Sequence, residues 1–408
     1  MLIVDRSLVA LDAGFIQDRP ALYARLFQES PVREATMPDG LRVWLVTRYA
    51  DAREALTNPL LSKDSRRAAP LHDRQEQEGV RRTFLARVLQ SHMLNLDPPE
   101  HTRHRRLVTR EFTQRRVESL RPWIERVVGT LLAELAGRDR ADLLGDFAFP
   151  LTVTVIGELF GVPADERARF RELSNGIAFG VDPESTGAAS VGMAEYLADL
   201  LDRKRAGQDD DLLTALVRAS DEDNQLDEFE LVAMAFVMLT AGYESTGHLI
   251  GNGVVSLLRN PDQLAALRAD PALLPAAIDE LLRYDGPSGM TTLRFTTEPV
   301  VLGGVEVPAG EFVVVLLGAV NRDPAQFDHA DELDLRRERN GHLAFGHGVH
   351  HCVGAALARL EGQIAIGQLL ARFPDLALAI EPAELRWRDS VLFHGLVEVP
   401  VTLRRPGR

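Results

Sequence analysis

The stretch from Asp227 to Arg259 constrains this chain most. Asp227-Glu-Phe-Glu230 has the residue types of a helix start: an Asp to cap the first amides, and a Glu three positions on that can reach back. A helix running from there to Arg259 spans about 48 Å at 1.5 Å per residue. Residues 231–239 are apolar nearly all round, so this helix is expected to cross a core. Inside it sits Thr240-Ala-Gly-Tyr-Glu-Ser-Thr246. A mid-helix glycine costs roughly 1 kcal/mol relative to alanine, and a buried carboxylate costs more unless partnered. A chain that accepts both at adjacent turns has a functional site there, or a kinked helix in which Glu244 pairs with His248 one turn on.

The rest of the pattern gives a mainly α fold with a minor β portion, in one domain over residues 1–408. Residues 99–260 read as helical, punctuated at 161–163, 181–187 and 207–211, and a helix pair follows at 262–268 and 273–284. Residues 42–46 have strand character, and 49–57 have helical spacing that stops before Pro59. Residues 62–97 are charged and irregular, a long loop with at most one short helix, and loops of that length are usually functional. Strands are expected at 291–297 and 312–317, with turns at 303–304 and 308–310. A last long helix is expected over 352–373 and strands again over 385–403. No repeat, low-complexity segment or linker stands out.

Charge and cysteine content narrow the function. Lys plus Arg total 46 against 60 Asp plus Glu, a net charge of −14 that argues against a nucleic-acid partner. The first twenty residues hold no apolar run long enough for a signal peptide or membrane anchor, so a soluble cytoplasmic protein is expected. A single cysteine excludes an intramolecular disulfide, covalent c-type haem attachment, and any cysteine-rich zinc or iron–sulfur site.

That cysteine lies in Phe345-Gly-His-Gly-Val-His-His-Cys352-Val-Gly354, which leads directly into Ala355-Ala-Leu-Ala-Arg-Leu-Glu361. Two glycines before it permit a tight turn, and Gly354 after it lets a flat ligand approach the backbone. A thiol where a loop becomes a helix is biased toward thiolate, hence toward a nucleophile or metal ligand. The bland alternatives are a buried structural cysteine, or a zinc cluster with His347, His350 and His351, which four ligands within six residues can rarely form. Upstream, Glu280 and Arg283 stand three apart on one face of a largely apolar helix, where a buried charge must be paired.

The cysteine loop resembles the haem-binding loop of cytochromes P-450, Phe-x-x-Gly-x-x-x-Cys-x-Gly. Phe345, Gly348, Cys352 and Gly354 fill its fixed positions. The resemblance extends to Glu280 and Arg283, joined in the family by an arginine matched best by Arg337, with Arg336 as the alternative. It also takes in Asn321-Arg-Asp-Pro324, and Ala241, Gly242 and Glu244 of the oxygen-activating segment. Serine stands at 245 where threonine is usual and Thr246 follows, so either hydroxyl is a candidate for proton delivery.

The resemblance implies the P-450 fold, a haem b whose iron is ligated by Cys352, and insertion of one oxygen atom from O2 into an organic substrate. Glu244 with Ser245 or Thr246 would relay protons. Ala241, Phe345 and Gly354 would border the cofactor. His101, Arg105, Arg294 and His350 match the positions that hold the haem propionates. With no Gly-rich flavin or nicotinamide fingerprint apparent, electrons are expected from a separate ferredoxin and its NAD(P)H-dependent reductase. Seven arginines between 103 and 121 against Glu111 and Glu118 form a candidate docking patch, or only a solvated helix face.

The chain looks most like actinobacterial enzymes that tailor macrolides and other polyketides. A bulky, mostly apolar natural product is the expected substrate, hydroxylated or epoxidised. A steroid or terpenoid is the second choice, and a peroxide-using or non-oxidative haem-thiolate enzyme the mechanistic rival. The small residues of Gly286-Pro-Ser-Gly-Met-Thr-Thr292 suggest a roomy pocket, with walls from residues 62–97 and the apolar Leu392 and Phe393.

Overall fold

The computed structural model describes residues 8–80, 87–179, 182–207, 209, 211–223 and 226–404. It is 59% helical, far above the roughly 30–35% of ordinary globular domains, with small sheets. The residues group into two compact units, one comprising Met1–Arg82, His248–Cys352 and Ala377–Val401, the other Thr83–Gly247, Val353–Leu376 and Thr402–Arg408.

The first unit is built on a six-stranded sheet, in the order Val9–Ala10, Val32–Thr36, Arg42–Val46, Phe312–Val315, Arg294–Thr296 and Leu61–Ser62. Trp44 pairs in parallel with Val313, which Arg294 faces across the antiparallel ladder. Two apolar clusters pack about this sheet. One centres on Phe15, Leu26, Leu45 and Phe312, the other on Val46, Leu56, Val315 and Phe327. The strand at 42–46 and the helix Tyr49–Thr57 fall where the sequence pattern puts them. The helices Pro261–Ala269 and Leu274–Asp285 match the expected pair to within two residues at each end.

Residues 62–97 differ from expectation. Ser65–Gln77 is a thirteen-residue helix, capped by the Asp64 carboxylate accepting the Arg66 amide. Its charge and its internal Pro70 hide the pattern, and few residues face inward: Ala68, Gln75, the partly buried Leu71, and His72 with its ring 4.7 Å from that of Phe312. Residues 81–86 lie outside the described residues. The 385–403 tail is less regular than a run of strands. It folds back through a Trp387–Leu396 bridge and ends in the short strand Pro400–Thr402.

In the second unit the helix Ala355–Arg372 packs on Arg121–Leu135, burying Leu357, Leu360 and Ile364 on one and Ile124, Val128 and Leu132 on the other. Of the expected breaks, 161–163 is met by left-handed Gly161 closing Phe149–Phe160. The 181–187 break is shorter than expected, because Asp182 caps a helix beginning at Pro183. Val181 itself, and residues 208 and 210 of the third break, are outside the described residues.

The long helix runs Glu228–Arg259, and its expected start is a complete capping box. The Asp227 carboxylate accepts the Glu230 amide at 2.8 Å, and the Glu230 carboxylate accepts the Asp227 amide at 3.1 Å. Gly242 has a packing cause: a Cβ there would lie 2.4 Å from Ile156 Cδ1, so the glycine lets Phe149–Phe160 close on the long helix. No described helix is long and apolar enough to cross a membrane.

Candidate active site

The thiol loop is shaped by its own backbone. The Cys352 amide donates to the Phe345 carbonyl at 2.9 Å, folding the loop back before the last helix begins. Cys352 therefore precedes that helix, whose N-cap is Gly354 and whose first residue is Ala355, three residues later than the sequence pattern suggests. Gly348 has φ +74°, which L side chains rarely adopt, and a Cβ there would come within 2.9 Å of the Leu56 carbonyl. The turn is thus pressed onto the end of Tyr49–Thr57, while Cys352 itself is exposed. His350 closes the short 3-10 turn Gly348–His350, and Phe345 lies with its ring centroid 6.3 Å from that of His351.

Beneath the loop lies a buried ion network. Arg283 donates through Nε and Nη2 to both oxygens of Glu280 at 2.8 Å, and through Nη1 and Nη2 to the carbonyls of Asn321, Ala330 and Glu332. Arg337, not Arg336, joins it, with Nε 3.1 Å from Glu280 Oε2. Asn340 and the Asp334 amide also donate to Glu280. Asn321 Oδ1 accepts the Leu343 amide at 2.7 Å, tying the network to the root of the thiol loop. Sequence reading missed Asn340 and the part played by Asn321, although Asn321-Arg-Asp-Pro324 stood out as a motif.

On the long helix, residues 231–239 and 246–257 are all buried. Between them Ala241 is exposed, and Ser245, one turn on, is half-buried on the same face. Thr246 is 4% exposed. Ser245 Oγ donates to the Ala241 carbonyl at 2.8 Å and Thr246 Oγ1 to that of Gly242 at 3.1 Å. Glu244 is buried, and its carboxylate neighbours Tyr243, whose hydroxyl pKa is raised by burial and then by Glu244. The Tyr243 hydroxyl donates to Asn175 Oδ1 at 3.2 Å, a partner with no signal in the sequence.

The candidate anchors fall in both units. In the second, His101 is buried in the first turn of Glu100–Thr109, and Arg105 follows one turn later on the same face. In the first, Arg294 opens its strand and is 5% exposed. Sequence reading passed over Lys63, one of only two lysines in the chain. It is buried beyond the strand paired to that of Arg294 and donates to the Thr292 hydroxyl.

The arginine run of 103–121 is partly paired. Arg103 holds Glu230 at 2.6 Å, Arg116 lies 3.5 Å from Glu111, and Arg121 pairs with Glu118. Arg106, Arg110 and Arg115 are exposed, with no acidic partner among the described residues.

Gly286 and Gly289 are small for packing reasons: a Cβ at 286 would strike the Leu282 carbonyl, and one at 289 would strike Arg19 Nη1 and the Val391 carbonyl, while both glycines line a cavity of the first unit.

A cytochrome P450 family model matches residues 193–378. Cytochrome P450 107B1 of Saccharopolyspora erythraea is 52% identical over 401 residues, covering 98% of each chain. The chain belongs to the cytochrome P450 family. Mycinamicin IV hydroxylase/epoxidase of Micromonospora griseorubida is 41% identical over 392 residues, covering 93% of this chain and 94% of that one. The structure of the P450 monooxygenase TamI with bound tirandamycin C superposes with a TM-score of 0.92 at 46% identity, covering 97% of this chain and all of the other. The protein is thus a P450 monooxygenase that acts with O2 on a small molecule, and its relatives include macrolide- and polyketide-tailoring enzymes.

Haem b is the cofactor of P450 proteins, and the residues present fit it. No three His, Cys, Asp or Glu side chains among the described residues come together to hold a metal ion, so the zinc reading of the loop fails. A lone exposed thiol suits an iron whose other ligands come from a macrocycle. Gly354, with no side chain, follows that thiol by two residues, and Ala241 is the exposed small residue of the long helix.

Proposed function

We propose that residues 1–408 form one haem-thiolate domain that hydroxylates or epoxidises a bulky, mostly apolar natural product of the macrolide or polyketide kind. The observation that carries this reading is the near-full-length likeness to a mycinamicin hydroxylase/epoxidase and to TamI with tirandamycin C bound. Cys352 would ligate the iron of a bound haem b, which would supply the centre for O2 chemistry. His101, Arg105, Arg294 and His350 would hold its propionates. Ala241, Phe345 and Gly354 border its ring.

Protons reach the oxygen side through Glu244 and the Ser245 hydroxyl. Ser245 is preferred to Thr246 because it shares the open face of the helix with Ala241, whereas Thr246 is buried. Electrons come from a separate acidic ferredoxin, reduced by an NAD(P)H-dependent reductase. The ferredoxin docks on Arg106, Arg110 and Arg115, whose charges have no acidic partner among the described residues.

Two measurements test the reading. Ferric protein titrated with ligands of graded size should show a full low-to-high-spin shift with macrolactones; a full shift with monoterpenes or fatty acids and none with macrolactones rejects the bulky substrate. Ser245→Ala should slow product formation roughly a hundred-fold and divert reducing equivalents to peroxide, at the low end of the usual range for losing a proton-transfer group. A silent Ser245→Ala beside an impaired Thr246→Ala assigns the relay to Thr246.

A further inference from the structure

The first unit holds a cavity of about 300 Å³ whose working residues are Arg19, Tyr23, Asp285, Arg322, Trp387 and His394. None of them belongs to the site described above. Arg19 is 3% exposed. Its Nη2 donates to the carbonyls of Ser390 and Phe393 at 2.7 and 3.3 Å, and the guanidinium lies 5.2 Å over the Phe15 ring and beside the Tyr23 hydroxyl, but Nε and Nη1 meet no acceptor in good hydrogen-bond geometry among the described residues. The backbone makes room for this guanidinium, since any Cβ on Gly289 would lie 2.0 Å from Nη1. The Tyr23 hydroxyl sits in a similar recess, 2.1 Å from where a Cβ on Gly318 would be.

Charge in the cavity is unbalanced. Arg322, also buried, stacks 4.4 Å over the Tyr284 ring and donates to the Tyr284 carbonyl; its nearest carboxylate, Asp331, is 3.5 Å away and 82% exposed. Two carboxylates line it, the exposed Asp18 and the half-buried Asp285, which lies 2.7 Å from His394 Nε2. Burial lowers the His394 pKa to about 4, so the ring is neutral at pH 7. Two buried guanidiniums thus face no fully buried carboxylate in the cavity lining, a state that favours a bound anion. With Nε2–H directed at Asp285, Nδ1 of the neutral ring carries a lone pair, and no donor among the described residues reaches it. Trp387 stacks on the same ring, centroids 3.9 Å apart, and walls the cavity.

We propose that this cavity binds a small organic acid, with its carboxylate on Arg19 and a hydroxyl or amine hydrogen donated to His394 Nδ1. The size excludes the bulky natural product, since 300 Å³ is at the low end of ligand pockets. Asn321 and Arg322 line the cavity, and Asn321 also holds the Leu343 amide. An occupant therefore bears on the segment that anchors the thiol loop.

Isothermal titration of the haem-loaded protein with glycolate, acetate and inorganic phosphate tests the proposal. Glycolate should bind one-to-one and saturably, and acetate, which lacks the donor, at least three-fold more weakly. Arg19→Gln should weaken glycolate at least ten-fold while the reduced–CO band stays at the thiolate position. Ala383→Phe, on the exposed turn at the cavity mouth, should weaken it similarly without touching the buried groups, and decides the matter if Arg19→Gln does not hold haem. No saturable heat with either carboxylate, equal glycolate affinity in Ala383→Phe and the parent, or phosphate binding without carboxylate binding overturns the assignment.

Discussion

Two buried arginines in the same unit have opposite hydrogen-bond economies. Arg283 uses all three nitrogens, on Glu280 and three carbonyls, and is fully enclosed. Arg19 is nearly as buried but uses one nitrogen of three among the described residues. A saturated guanidinium is a joint, since its donors are committed to holding three chain segments in one geometry. An unsaturated one keeps donors for something else. Burial alone does not tell the two apart; the count of acceptors does.

The largest expected effect comes from breaking the saturated network. Glu280→Gln leaves Arg283 and Arg337 facing a neutral amide in a buried place and should cost about 3–5 kcal/mol. Urea denaturation and haem retention after gel filtration measure this. A loss under about 1 kcal/mol means that the network is not the joint it resembles.

Next is the acid sensitivity of the unsaturated cluster. Burial holds His394 neutral down to about pH 4, whereas the unfolded chain protonates it near 6.5. The contribution is complete above pH 6.5 and is lost as the pH falls toward 4, and amounts to about 3 kcal/mol. The Asp285 pKa is lowered chiefly by His394, against the opposing effect of burial, so its contribution is lost in the same direction on acidification. His394→Gln should flatten the decline of unfolding free energy between pH 6.5 and 4.5, and an unchanged slope rejects the linkage.

A buried acid in the second unit gives the reverse sign. Glu361 is enclosed, and burial raises its pKa well above the usual value. The unfolded chain ionises this group where the folded chain resists, so its contribution to stability is present below about pH 4.5 and falls away as the pH rises. Glu361→Gln should therefore raise the melting temperature at pH 8 and leave it unchanged at pH 4. A lower melting temperature at pH 8 would show that the carboxylate is ionised and paired in the folded state.

The smallest effect concerns exposed arginines, where water competes. Arg110→Glu should slow ferredoxin-driven turnover a few-fold at low salt and flatten its salt dependence, leaving melting within about 0.5 kcal/mol of the parent. Arg116→Glu should do less, because Glu111 already neutralises that position in part. Equal rates at low and high ionic strength in the parent would leave only a solvated face.

Several features of this protein are local and were legible from residue order alone. Asp227 and Glu230 are three apart, so their reciprocal cap follows from helix geometry, as do the pairing of Glu280 with Arg283 and the tight turns before Cys352. Family membership rests on the same kind of signal, fixed residues at fixed short spacings. The helix at Ser65–Gln77 was hidden because its few inward residues leave no clear period and Pro70 argues against it.

What only the tertiary structure decides are the long-range contacts. It selects Arg337 over its neighbour, brings Asn175 to Tyr243, and sets Ser245 on an open face while burying Thr246. It assigns Gly289 to Arg19, 270 positions away, rather than to a substrate pocket. Spacing along a helix or turn fixes direction within a few residues, but which distant side chain fills a given space depends on how whole elements pack. That follows from the shape of the filled core, which no single stretch of sequence carries.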